Sequence, residues 1–125
     1  MKRLSLFVFV AFAMVDCSPV HAGIFQPEYV VRAASNHDGD TFTLAQPINV
    51  PLSIVRVLGV DTPELAPRAR CSAEAALADK ARLYTQKVLA GAARITLSHV
   101  SLDKFGSRLD AVVTADGQDL AQLLI

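Results

Sequence analysis

The sequence predicts a small α+β domain that is mainly β, with five short strands curled into a barrel, a helix after the third strand and a helix at the C-terminus. Short stretches rich in β-branched and aromatic residues recur along the chain, separated by Gly, Pro, Asn and Asp. One longer stretch, residues 72–91, has apolar residues at helical spacing instead. A length of 125 residues allows one domain.

The N-terminal 22 residues have the pattern of a secretory signal peptide. A basic Met-Lys-Arg start precedes an apolar run over residues 4–15, and small residues occupy the positions before cleavage after residue 22. A membrane span needs about 20 apolar residues, and Asp16 interrupts this run. We therefore expect cleavage near Ala22, a secreted or periplasmic protein, a folded domain over residues 23–125 and no stable membrane association afterwards.

Composition limits the classes of partner. Lys and Arg number 12 and Asp and Glu number 12, so no global basic field favours nucleic-acid binding, and an anionic substrate must be captured by a local arrangement. Nothing in the sequence points to a protein partner. Cys17 leaves with the signal, so Cys71 remains as a free thiol, an intermolecular partner or a cysteine whose mate is missing from this chain.

The first half of the domain reads as three strands. Residues 29–35 and 41–44 form a hairpin whose turn contains an Asp-Gly dipeptide, and residues 52–60 form the third strand. Gly59 near the end of that strand suits a bulge or a close backbone approach.

The helix and the last strands follow. Ser72 is the expected N-cap, Gly91 the expected stop, and the expected apolar face contains Leu77, Ala81, Tyr84 and Val88. Residues 94–100 and 109–114 are strands, Asp116-Gly117 is a turn, and residues 120–125 begin a helix. Five antiparallel strands with a helix after the third match a Greek-key barrel of the oligonucleotide-binding type.

Polar residues cluster at the strand ends. Asp38 and Asp40 precede the second strand, while Arg56, Asp61 and Glu64 lie in or just after the third. Four carboxylates and an arginine could bind a hard cation and a phosphate if the fold brings both clusters together; the alternative is a pair of solvated turns. Arg56 and Asp61 would face opposite sides of a straight strand, so the strand must end or bulge between them.

Three blocks of residues carry a resemblance to a known family. They are Asp38-Gly39-Asp40-Thr41, Val55-Arg56 through Val60-Asp61-Thr62-Pro63-Glu64, and Asp103-Lys104-Phe105-Gly106. In this order, with a helix between the second and third, they resemble the signature of the staphylococcal nuclease (thermonuclease) family, over the chain from residue 30 to residue 125. The resemblance implies an oligonucleotide-binding barrel that hydrolyses DNA and RNA, single-stranded or frayed, with Ca²⁺.

The resemblance also implies roles for individual residues. Asp40 and Asp61 would bind calcium through their carboxylates and Thr62 through its carbonyl, with Asp38 acting through water. Arg56 would hold the scissile phosphate and Glu64 would position or deprotonate the attacking water, with products that end in a 3′-phosphate. Lys104 and Phe105 would contact the substrate, although a solvated loop lysine is an equally ordinary reading of Lys104.

The sequence departs from the family pattern in two places. The family usually has a second arginine after the Lys-aromatic-Gly block, where this chain has Ser107 followed by Arg108. We expect Arg108 to substitute for it; the alternative is a surface arginine paired with Asp110. Family members also continue beyond the position of Ile125, so we expect a C-terminal segment to be missing. Alternatives to the enzyme are a non-catalytic nucleic-acid-binding barrel and an inactive fragment.

Overall fold

The computed structural model describes residues 27–48 and 50–125, and the expected signal peptide lies outside them. The described chain is a mixed α+β structure built on one curled, open sheet that forms a half-barrel. Its elements are β1 (Tyr29–Val31), β2 (Ala33–Asn36), β3 (Thr41–Leu44), β4 (Ile54–Val57), α1 (Ser72–Gly91), β5 (Ile95–Leu102), β6 (Leu109–Ala115), β7 (Gln118–Asp119) and α2 (Leu120–Leu123). Across those residues, no helix has the length and apolar content needed to cross a bilayer.

The prediction of five strands is wrong, because the described sheet has seven. Its order is β1-β5-β6-β4-β3-β2, with β7 paired to β6. The stretch predicted as one strand over residues 29–35 divides at Arg32 into β1, which pairs with β5, and β2, which pairs with β3 at the opposite end of the strand order. The predicted hairpin of β2 and β3 is confirmed, and so is the Asp116-Gly117 turn, which connects β6 to the short β7.

The prediction of purely antiparallel pairing is also wrong, since β4 and β6 are parallel. Two parallel strands need a long crossover connection, and α1 together with β5 supplies it. The pairing places Arg56 opposite Asp110 on β6 and opposite Thr41 on β3. One row of polar residues therefore crosses three neighbouring strands.

Strand alternation separates this polar row from the core. On β4 and β6 the buried positions alternate with the positions of the row, because successive side chains point to opposite faces; on β3 the row residue Thr41 is also buried. The fully buried side chains on the core face include Phe42, Val55, Val57, Leu97, Leu109, Val113 and Leu120. Arg56 and Asp110 consequently lie on the outer face of the half-barrel.

The bounds predicted for α1 are confirmed, but its predicted cap and buried face are wrong. Cys71 occupies the N-cap position without a side-chain hydrogen bond, and its thiol is free and exposed. The main-chain N–H of Arg70 instead donates to Glu74 Oε2 at 2.6 Å, which lowers the pKa of that carboxyl. Leu77 and Tyr84 are 56% and 42% exposed, respectively.

The buried side chains of α1 are Ala78, Thr85 and Leu89, one position further along the chain than the predicted face. Apolar residues follow helical spacing on two overlapping faces of this helix, so periodicity did not decide between them. Two hydrogen bonds to the β2–β3 hairpin accompany the burial of this face of α1. The Thr85 hydroxyl donates to the carbonyl of Gly39 at 2.6 Å, and the Asn36 amide donates to the carbonyl of Arg82 at 2.7 Å.

Gly39 lies where the β2–β3 loop, the helix and the segment after β4 meet. A Cβ at this position would be 2.6 Å from Thr62 Cγ2 and 2.8 Å from Ala81 Cβ, closer than real Cβ contacts. The absence of a side chain therefore allows α1 to press the loop against Thr62.

Replacing Gly39 with alanine should destabilise the fold. We expect Gly39→Ala to lower the free energy of unfolding by about 1–3 kcal/mol, the usual cost of overpacking. Urea denaturation measures the change. Gly91→Ala is the control, because a Cβ there meets nothing within 4 Å and alanine favours helix. Equal losses in the two variants would contradict the role of close packing at Gly39.

Candidate functional site

The buried carboxylate of Asp40 joins two of the predicted site segments. Asp40 is 5% exposed; its Oδ1 accepts a hydrogen bond from Thr41 Oγ1 at 2.9 Å and its Oδ2 accepts one from the main-chain N–H of Thr62 at 3.0 Å. A buried carboxylate requires such donors to offset its lost hydration. The loop before β3 and the segment after β4 are thereby held together.

Arg56 lies between two of the predicted metal ligands. Its Nη2 is 2.8 Å from Asp61 Oδ1 and 4.0 Å from Asp40 Oδ2. The strand does end between Arg56 and Asp61, as expected, but the predicted range 52–60 is too long: β4 covers Ile54–Val57, and a turn with Gly59 at φ +89° follows before Asp61. A positive φ is readily adopted only by glycine. The turn that Gly59 makes possible lets the chain bring Asp61 to the side of the sheet on which Arg56 lies.

The donor chemistry at this point fits a hard cation in kind. Asp40 and Asp61 both offer carboxylate oxygens near Arg56 Nη2, and an oxygen-only set suits Ca²⁺. Thr62 directs its N–H to Asp40, and its carbonyl is the third predicted ligand. Among residues 27–48 and 50–125, no group of three or more His, Cys, Asp or Glu side chains is arranged to hold a metal. A bound cation would therefore need the Thr62 carbonyl or water, and Arg56 would have to move.

Asp38 supports Asp40 from the preceding turn. Asp38 Oδ1 accepts a hydrogen bond from the main-chain N–H of Asp40 at 3.1 Å. Partial burial, followed by the hydrogen bond and the charge of the Asp40 carboxylate, raises the pKa of Asp38 above its ordinary value of 3.8. The Asp38 carboxyl therefore ionises less readily than that of an exposed aspartate.

Glu64, the predicted base, does not contact Arg56. Its Oε2 forms an ion pair with Arg68 Nε at 3.1 Å, and both side chains are largely exposed. Glu64 nevertheless lines a shallow hollow of about 600 Å³ together with Asp61 and Thr62. The structure therefore places Glu64 on the side of the predicted metal ligands, held by an arginine that the sequence analysis did not consider.

Asp103 closes the loop that contains Lys104, Phe105 and Arg108. Its carboxylate accepts hydrogen bonds from the main-chain N–H of Ser107 at 2.8 Å and from Arg108 Nε at 3.2 Å. Burial alone would raise the pKa of Asp103, but the main-chain N–H donors of Ser107 and Arg108 and the Arg108 charge outweigh it, so the pKa is lowered. The alternative that Arg108 pairs with Asp110 is wrong, because Asp103 holds it.

Arg108, which follows the third sequence motif, lies close to residues of the first and second motifs. It lines a hollow of about 370 Å³ with Arg56, Lys104 and Asp110, and a second of about 420 Å³ with Asp38 and Thr41. Phe105 also lines the second hollow, is 74% exposed, and has Lys104 Nζ 4.9 Å from its ring centroid. The predicted site residues thus line neighbouring hollows, except for the buried Asp40, whose carboxylate lies 4.0 Å from Arg56; Glu64 and Arg108 are engaged in ion pairs.

Sequence reasoning missed three contributors. From the sequence, Asp103 is only a member of a motif and Asp110 only a possible partner of Arg108. Arg68 has no predicted role. The spacing of Arg68 four residues after Glu64 was the available signal for one. No sequence signal identifies Asp110, because its position depends on the parallel pairing of β4 with β6.

A scan against models of protein families finds no match, and a search of curated proteins finds none either. Functional inference therefore depends on the residues and their geometry.

Replacing Asp38 with asparagine should stabilise the metal-free protein at neutral pH. A raised pKa in the folded state means that stability is present below 3.8 and lost as pH rises through the raised value. Asparagine keeps the acceptor for the Asp40 N–H and removes this loss. With chelator present, we expect a higher urea midpoint than wild type at neutral pH and convergence of the two in acid. A pH-independent difference would contradict the assignment.

Proposed function

We propose that this protein is a calcium-dependent nuclease that hydrolyses the phosphodiester bonds of DNA and RNA. The observation that carries the proposal is the placement of the Arg56 guanidinium between the Asp40 and Asp61 carboxylates. A cation site beside a phosphate-binding arginine is the arrangement that phosphoryl chemistry requires. Two solvated turns would leave Asp40 exposed, whereas Asp40 is buried.

The proposal includes the finer fold and the family. We assign the half-barrel to the oligonucleotide-binding Greek-key type and the chain to the staphylococcal nuclease family, exported by the N-terminal signal. The order of the three motif blocks supports this assignment, as does the long helix between the second and third blocks. The exposed Phe105 ring offers a stacking face for an unpaired base, which favours single-stranded or frayed substrates.

Each residue of the site has a step in this mechanism. Arg56 binds two phosphate oxygens through its planar guanidinium, and Lys104 attracts the neighbouring backbone. Asp40, Asp61 and the Thr62 carbonyl would hold calcium, which polarises a phosphoryl oxygen and offsets the charge that develops on it. Glu64 accepts a proton from the attacking water after it leaves Arg68, an exchange of small cost because an exposed pair is worth about 0–1 kcal/mol.

The leaving-group side depends on Arg108. Its Nε binds Asp103, which fixes the stem of the side chain at the edge of the hollow shared with Arg56. The remaining guanidinium N–H groups can then donate to phosphate oxygens as negative charge accumulates.

A non-catalytic nucleic-acid-binding barrel is the second candidate. The ion pairs of Glu64 with Arg68 and of Arg108 with Asp103 favour it, since they occupy the expected base and the expected second arginine. It leaves the buried acidic site at Asp40 unexplained.

Cleavage of single-stranded DNA tests the enzyme. We expect cleavage with calcium and none with chelator, and Glu64→Gln should lower turnover by about 10²–10⁴-fold because it removes a general base. Glu28→Gln is the matched control at an exposed position on the β1 side. Substrate binding without calcium-dependent cleavage by wild type would favour the binding barrel instead.

Arg108→Lys tests the displaced arginine. Lysine retains the charge but loses the planar fork, so we expect turnover to fall at least about tenfold, as a lost transition-state hydrogen bond predicts. Arg94→Lys is the control, because Arg94 directly precedes β5, where its main-chain carbonyl accepts from the Asp116 N–H, away from the candidate site. Unchanged turnover in Arg108→Lys would remove Arg108 from the mechanism.

A further inference from the structure

The carboxylate of Asp110 is in an unusual environment for the outer face of a sheet. Its Oδ1 is buried and has no hydrogen-bond partner among the described residues. Buried carboxylate oxygens are almost always paired, so this oxygen is available to accept a hydrogen bond from a nearby donor. Asp110 also lines the 370 Å³ hollow of the candidate site.

Arg56 is the cation best placed to be that partner. Three cationic side chains line this hollow: Arg56, Lys104 and Arg108. The Arg108 guanidinium is bound to Asp103, and the Lys104 ammonium lies over the Phe105 ring. Arg56 is opposite Asp110 in the β4–β6 register, where neighbouring strands are about 4.8 Å apart and paired side chains share a face.

Arg56 cannot keep its present contacts when a cation binds. Its Nη2 is 2.8 Å from Asp61 and 4.0 Å from Asp40, the carboxylates that the proposed calcium would use. Like charges repel strongly at such separations, so the guanidinium must leave Asp61. An arginine released without a carboxylate would regain hydration and mobility, and its placement for phosphate would be lost.

We propose that Arg56 exchanges carboxylates when the site is loaded, leaving Asp61 for calcium and pairing with Asp110. This inference rests on the proposed calcium-dependent function. Asp110 is then a positioning residue: it satisfies its buried oxygen, offsets the cost of freeing Asp61, and leaves other guanidinium N–H groups available for the substrate phosphate. Calcium binding and alignment of Arg56 become one coupled event.

A double-mutant cycle on calcium affinity tests the exchange. Calorimetric titration with calcium alone compares wild type, Asp110→Asn, Arg56→Ala and the double variant. We expect Asp110→Asn to weaken calcium binding by at least about threefold in the Arg56 background and to have no effect in the Arg56→Ala background, since contacting residues couple. Asp79→Asn, at an exposed aspartate paired with Arg82 on α1, is the charge-matched control.

The outcomes distinguish a simple effect of the Asp110 charge on calcium from the proposed exchange of Arg56 between carboxylates. Equal weakening by Asp110→Asn in both backgrounds would mean that Asp110 acts only through its charge, and no weakening in either would mean that it does not act; both results overturn the exchange. If wild type binds calcium and cleaves DNA while the cycle is additive, the nuclease proposal survives and the exchange fails. If wild type binds no calcium, both fail.

A second measurement starts with the wild-type protein, so its first result does not depend on the folding of any variant at Asp110. Calcium should shift the NMR resonance of the Arg56 Nε–H group in wild type, assigned by its disappearance in Arg56→Lys. In Asp110→Asn the calcium-bound resonance should broaden or move towards that of a solvated arginine. A wild-type resonance that does not respond to saturating calcium would overturn the exchange.

Discussion

The hydrogen bond between the buried Asp40 carboxylate and the Thr62 main-chain N–H is the contact on which the candidate site depends. The two residues are separated by 22 positions in sequence and by 3.0 Å in space. A carboxylate with so little exposure is stable only where donors surround it, so burial of Asp40 constrains the course of the chain after β4. That constraint, together with the turn at Gly59, brings Asp61 to Arg56.

The helix α1 holds the segments of the candidate site together through packing. Thr85 is fully buried and donates to the Gly39 carbonyl, while Gly39 lies against both Thr62 and Ala81. The helix α1, the β2–β3 loop and the segment that contains Thr62 are therefore in contact with one another. Positions of catalytic atoms must be maintained closely for catalysis, and this chain of contacts shows how a helix with no predicted catalytic residue can maintain them.

Each arginine with a role in or beside the site is held by a carboxylate: Arg56 by Asp61, Arg68 by Glu64 and Arg108 by Asp103. The first two pairs involve exposed partners and exchange readily, because exposed ion pairs contribute little to stability. The third differs, since Asp103 is buried and also binds main-chain N–H groups of its own loop. A cation or a phosphate that binds here would therefore compete with existing ion pairs.

The sequence by itself determined the bounds of α1, the β2–β3 hairpin and the turn at Asp116-Gly117, because spacing and turn chemistry are local properties. It also identified Arg56, Asp61, Lys104 and Arg108, which line neighbouring hollows, but not Arg68 or Asp110, which line them too. Tertiary structure decided which face of α1 is buried, how residues 29–35 divide between two edges, and that β4 runs parallel to β6. These depend on contacts between segments distant in sequence, and the juxtaposition of Arg56 with Asp110 exists only because of the last of them.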